Sequence, residues 1–151
     1  MELDDLYQEI IFDHYKQPRN QGDLQDANLN IEGKNPFCGD QVSLSLNIHD
    51  NIISDVKFHG SGCAISQASI SMMTEKIKNK SVTEAKELID QFSRMVKGSD
   101  KIDPETIEEL DELAAFQGIC EYPTRVKCAM LGWNTLKKAI ESTQEKEDEN
   151  A

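Results

Sequence analysis

Basic residues are scarce in this chain. Sixteen Lys and Arg stand against twenty-eight Asp and Glu, a formal net charge of −12. Phosphate binding needs a basic face, so the balance argues against nucleic acid as the main partner. There is no run of eighteen apolar residues, so no transmembrane helix and no membrane partner is expected. The start, Met1-Glu2-Leu3-Asp4-Asp5, is acidic and lacks the basic-then-apolar order of a signal peptide. The expected location is therefore the cytoplasm. Thiols stay reduced there, and cysteines read as metal-binding or catalytic groups rather than a disulfide frame. A C-x-x-C pair, zinc-finger spacing and internal repeats are also missing.

What is present describes one domain. The 151 residues are 38% hydrophobic and 29% charged, enough to bury a core without staples. The negative charge is localised. Ser99 to Glu112 holds seven acids and one Lys, and Glu141 to Ala151 holds five acids and one Lys. These stretches read as solvated faces or tails, with a docking surface for a basic partner as the alternative. The expected division is a single domain over 1–140 and an acidic, disordered tail over 141–151.

The periodicity predicts an α+β fold: a small antiparallel meander with an N-terminal helix and several helices packed on it. Leu3, Leu6, Tyr7, Ile10, Ile11 and His14 recur at helical spacing until Pro18. After a polar connector, Asn28 to Lys34 reads as a short strand. Val42, Leu44, Leu46 and Ile48 alternate with polar residues, the mark of a strand with one buried face. His49-Asp50-Asn51 is a turn signal, and Ile52 to His59 is the partner strand. Helical spacing resumes from Cys63 to Lys78. Ser81-Val82-Thr83-Glu84 starts another helix, stopped by Gly98. Asp103-Pro104-Glu105 starts a third, with Ile107, Leu110, Leu113 and Ala114 inward, and Pro123 opens the last.

Three of the four cysteines carry Gly or Pro punctuation: Cys38-Gly39-Asp40, Gly60-Ser61-Gly62-Cys63 and Pro123-Thr124-Arg125-Val126-Lys127-Cys128. Cys38 precedes the hairpin's first strand and Cys63 follows its second, so antiparallel pairing brings both to one end of the sheet. Cys63 also begins a helix, where the dipole favours a thiolate. Gly60 and Gly62 would let the backbone approach a ligand. With Asp40, the three thiolates form a four-donor set for a soft or borderline metal such as zinc. Arg125 and Lys127 would offset its negative charge. The alternative is three unrelated buried cysteines. Cys120 reads as a non-ligand, His14 as a core-edge or surface residue, and His49 as solvated. His59, four residues before Cys63, is a weaker candidate. Trp133, Met72 and Met73 read as core.

The motifs Asn35-Pro-Phe-Cys38-Gly-Asp40, Gly60-Ser-Gly-Cys63-Ala-Ile-Ser and Arg125-Val-Lys-Cys128-Ala-Met-Leu-Gly-Trp133 resemble the U-type proteins of iron–sulfur cluster assembly. The resemblance runs from the first helix to about Ile140. It is closer to the SUF-type branch than to the IscU scaffold branch. Lys127 stands where the scaffold type has a histidine, and the acidic Ser99–Glu112 segment lies where the SUF-type branch has its insertion. The resemblance implies an IscU/SufE-like fold and a zinc site of Cys38, Asp40, Cys63 and Cys128. It implies a sulfur acceptor for a pyridoxal-phosphate cysteine desulfurase, with Cys38 taking the persulfide sulfur and passing it to a downstream acceptor. It implies too that the desulfurase lends the zinc a histidine and so releases Cys38. Such a protein borders on a sulfurtransferase. The alternative is a scaffold on which iron or an Fe–S cluster is assembled and then passed to a cluster acceptor. A zinc module that only supports folding is a third reading.

Overall fold

A computed structural model describes residues 3–36, 39–98 and 102–149, and the side chains of 5–36, 39–98 and 102–143. The elements follow in the order α1 (Leu3–Lys16), β1 (Leu29–Asn35), β2 (Asp40–His49), β3 (Ile52–Ser61), α2 (Ala64–Ile77), α3 (Val82–Val96), α4 (Pro104–Glu109), a 3-10 helix (Asp111–Glu121) and α5 (Pro123–Glu149). This is the α+β architecture that the periodicity predicts.

The sheet is an antiparallel meander, β1-β2-β3. Its hairpin closes through Asp50 and Asn51, both at positive φ (52° and 67°). That is the pairing whose twist matches two antiparallel strands, and short Asp and Asn side chains tolerate it. Beyond the turn the register shifts at Asn47/Ile48, where Asn47 faces Asp55 but Ile48 faces Ile53. The extra residue, Ser54, donates its hydroxyl to the Asn47 carbonyl at 3.1 Å. At the far end Gln41 pairs with Ser61 and Asn35 with Asp40. Both strand connections near the cysteines therefore meet at one end of the sheet.

The connector after α1 is hydrogen-bonded to the outer edge of β3. The Gly22 amide donates to the Phe58 carbonyl, and the Phe58 amide to the Asn20 carbonyl. Val42, Leu44, Leu46, Val56 and Phe58 are buried on one face of the sheet, and the helices cover it. Trp133 of α5 is the largest fully buried side chain. It stacks on Phe92 of α3 at 4.4 Å, and its indole N–H donates to Ser69 Oγ at 3.0 Å. Met72 and Met73 are buried in the same core, as the sequence predicts.

Two local expectations need correcting. Leu6 is 43% exposed, because Tyr7, Ile10, Ile11 and His14 form the inward face of α1 and leave Leu6 on its flank. The helix expected from Asp103 does not run on unbroken. Asp111 takes a left-handed conformation (φ 57°), and the chain continues as a 3-10 helix. Leu110, Leu113 and Ala114 still face inward, so the burial pattern survives the change of helix type. α5 is helical to Glu149, into the acidic stretch 141–151. No helix among the described residues is long and apolar enough to cross a membrane.

Candidate metal centre

Asp40, Cys63 and Cys128 come from three different elements and meet at one point. Asp40 opens β2, directly after Gly39 at φ 72°. Cys63 is the N-cap of α2, its sulfur accepting the Ser66 amide at 3.4 Å. Cys128 lies in the second turn of α5 and is buried. Among the described residues these three are the only group of His, Cys, Asp or Glu placed to share an ion, their ligand atoms lying within 4.8 Å of one another.

The carboxylate of Asp40 is locked in place, 1% exposed. Its Oδ1 accepts the Cys63 amide at 2.9 Å, and its Oδ2 lies 3.7 Å from Cys63 Sγ. A tetrahedral zinc bound at ordinary Zn–S and Zn–O lengths has donors about 3.5–3.8 Å apart, so this edge fits one. Two sulfurs and one carboxylate oxygen suit a borderline ion better than a hard one. The residues present therefore fit the zinc implied by the resemblance.

The glycines explain how the groups come so close. Gly62 sits at φ 154°, and a Cβ there would collide with the Asp40 carboxylate. At Gly60 a Cβ would strike the Gln41 carbonyl across the strand pair. The sequence suggests that both glycines open the backbone to a ligand; in the structure Gly60 serves the strand pair and Gly62 makes room for the Asp40 carboxylate. The sequence reading also missed Asn35, whose side-chain amide reaches Cys128 Sγ at 4.0 Å. The signal was its place at the head of the first cysteine motif.

Cys38 lies outside the described residues, two positions before Asp40. Arg125 holds its guanidinium 4.7 Å above the exposed Tyr122 ring. Lys127 is exposed on the turn before Cys128. Cys120 is exposed and packs against Gly98, outside the cluster. His59 is also outside it, paired with Asp23 at 3.0 Å. His49 is exposed.

His14 corrects the sequence reading. It is buried, with Nδ1 2.8 Å from Ser71 Oγ and Nε2 facing Glu112 at 3.4 Å and Glu75 at 3.5 Å. It holds α1 against α2 and the 3-10 helix, away from the cysteines.

An α+β domain thus carries a mixed carboxylate–thiolate site where a hairpin and two helices converge. The model of the NifU-like N-terminal domain matches residues 6–150, and the chain belongs to that family of iron–sulfur cluster assembly proteins. It is 42% identical over 138 residues to the zinc-dependent sulfurtransferase SufU of Bacillus subtilis, covering 91% of each chain. It is 41% identical over 138 residues to the iron–sulfur cluster assembly scaffold protein IscU of Streptococcus pyogenes, covering 91% of this chain and 84% of that one. A crystal structure of a putative iron–sulfur cluster assembly scaffold protein for the SUF system, from Fervidobacterium islandicum, superimposes with a TM-score of 0.81 at 38% identity, covering 92% of this chain and 99% of that one. The SUF-type resemblance read from the motifs agrees with these relatives.

Proposed function

We propose that this protein is a zinc-dependent sulfur acceptor for a pyridoxal-phosphate cysteine desulfurase and passes the sulfur to a downstream acceptor in the cytoplasm. The observation that carries this reading is the meeting of Asp40, Cys63 and Cys128 within 4.8 Å, with Cys38 two residues from Asp40 in the chain. The name of the Bacillus relative supports it.

Asp40, Cys63, Cys128 and Cys38 would hold the zinc. Zinc supplies charge that keeps thiols in their thiolate form at neutral pH. The protein supplies the rest. The α2 N-terminus orients Cys63 and gives it an amide donor. The buried carboxylate of Asp40 is fixed by the Cys63 amide and needs no reorganisation to serve. Gly39, next to Asp40, takes a positive φ that glycine adopts without strain. The Cys38 thiolate attacks the outer sulfur of the donor's persulfide. A new S–S bond forms on Cys38, the donor's S–S bond breaks, and the donor leaves as a thiolate with no net oxidation.

The test is desulfurase turnover with this protein present, absent, or carrying Cys38→Ala. Stimulation by the wild type and none by the variant is expected. Full stimulation by the variant would exclude the role. The scaffold reading is favoured by the names of the Streptococcus and Fervidobacterium relatives. Anaerobic reconstitution with iron and sulfide separates the two: a stable, transferable cluster chromophore supports the scaffold. Stoichiometric zinc in freshly purified protein supports sulfur transfer.

A further inference from the structure

A groove of about 530 Å³ lies beside the candidate metal centre, between β1 and α5. Among the described residues its walls carry Lys34, Lys97, Lys127, Lys137 and Lys138 against one acid, Glu141. Thirteen lysines serve the whole chain, whose net charge is −12, so five around one groove make a local reversal of sign. Among the described residues no carboxylate pairs with Lys34, Lys97, Lys137 or Lys138. The floor is apolar, lined by the half-buried Val126 and the buried Met130. A second hollow of about 400 Å³ shares Lys97, Lys137 and Glu141 and extends it toward Lys86 of α3.

We propose that this groove docks an acidic segment of a partner polypeptide, delivered beside Cys128. Its shape decides for a polypeptide over a small anion. From Val126 to Glu141 the groove follows α5 for about 22 Å at 1.5 Å per residue. An extended chain of about seven residues spans that length. β1 is an edge strand of the sheet, so a segment lying along it meets main-chain groups as well as lysines. Alternating carboxylates and apolar side chains match the lysine walls and the Val126–Met130 floor. The chain's overall negative charge disfavours a long polyanion such as nucleic acid, whose remaining phosphates would meet acidic surface. One end of the groove reaches Asn35, whose side-chain amide contacts Cys128 Sγ, so docking there brings the partner to the thiolates. This goes beyond the metal-site reading and does not depend on which ion the cysteines hold.

The test is fluorescence anisotropy of the purified metal-containing protein with a labelled peptide of about eight alternating Glu and Leu residues, a length set by the strand rise. Expected are saturable binding that weakens with added salt and a much weaker signal from the Gln–Leu counterpart. Combining Lys97→Glu, Lys137→Glu and Lys138→Glu should weaken binding by about tenfold or more. Combining Lys16→Glu, Lys57→Glu and Lys80→Glu changes net charge equally elsewhere and should leave binding near wild type. Should the groove combination fail to fold, its single variants, with circular dichroism and metal content as controls, carry the test. Four results would overturn the proposal: equal binding of the Gln peptide, equal weakening by both sets, displacement by citrate at concentrations like the peptide's own, or tighter binding of oligo-dT.

Discussion

Gly62 stands against the carboxylate of Asp40 with no room for a Cβ between them. Its φ of 154° is one that other residues adopt only with strain. The Gly62→Ala variant must therefore either displace Asp40 or distort the turn into α2. Zinc affinity, measured by competition with a chromophoric chelator, should fall by about tenfold, or about 1.4 kcal/mol. Gly60→Ala is the contrasting case. Its Cβ would meet the Gln41 backbone inside the sheet, so it should lower thermal stability first. Unchanged zinc affinity in Gly62→Ala would show that Asp40 is not a ligand.

The core makes a prediction of its own. Trp133 stacks on Phe92 and donates to the buried Ser69 hydroxyl, which itself donates to the Ala129 carbonyl. Trp133→Phe keeps most of the stack but removes the indole donor and some volume. It should cost about 1–3 kcal/mol in urea unfolding. Phe92→Ala removes the stacked ring and the edge contact to Phe116, and should cost about 3–5 kcal/mol.

The start of α3 depends on a single hydroxyl. Ser81 Oγ accepts the Glu84 amide at 3.0 Å, and Ser81 also bridges to Ile52 beside the hairpin turn. Ser81→Ala should cost about 1 kcal/mol, and Ser81→Asp should recover most of it. Denaturant midpoints at constant slope would show it.

Acid sensitivity should come partly from two exposed aspartates. The backbone amide of Thr106, helped by its hydroxyl, holds the Asp103 carboxyl below its ordinary value. A hydrogen bond from Arg19 does the same for Asp13. A carboxylate depressed in the folded state stabilises the protein above the unfolded pKa, and that stabilisation is lost as pH falls through the folded value. The effect is therefore complete above about pH 5 and fades below about pH 4. Urea midpoints for Asp103→Asn should fall less steeply than wild type between those values and further into acid. A parallel curve would refute the assignment.

How much of this was legible follows from where each signal lay. The hairpin declared itself because Val42, Leu44 and Leu46 alternate and Asp50-Asn51 suits a positive-φ turn. With the hairpin came the meeting of Asp40 and Cys63, since antiparallel pairing fixes which ends adjoin. Cys128 is distant in sequence, and only the shared register of the three motifs tied it to the others. The basic groove was not legible, because its lysines are scattered from 34 to 138 and only the packing of α5 on β1 gathers them. The 3-10 segment escaped because inward residues at 110, 113 and 114 suit either helix type.

His14 was misplaced for a related reason. Helical spacing puts it on the inward face but does not say what a polar residue would find there. It finds Ser71, whose hydroxyl also accepts the Arg19 amide, with Glu112 and Glu75 opposite its other nitrogen. This network fits a ring that accepts at Nδ1 and donates from Nε2 toward the carboxylates. His14→Leu fills similar space but leaves the buried Ser71 hydroxyl without this partner, which should cost about 1–3 kcal/mol. Because His14 is not among the clustered donors, zinc stoichiometry should stay at the wild-type value. His59→Ala, which removes only an exposed pair with Asp23, should change stability by less than about 1 kcal/mol and leave zinc untouched. If either variant lost its metal under conditions where circular dichroism showed a native fold, the site would need a histidine that the cluster of Asp40, Cys63 and Cys128 does not include.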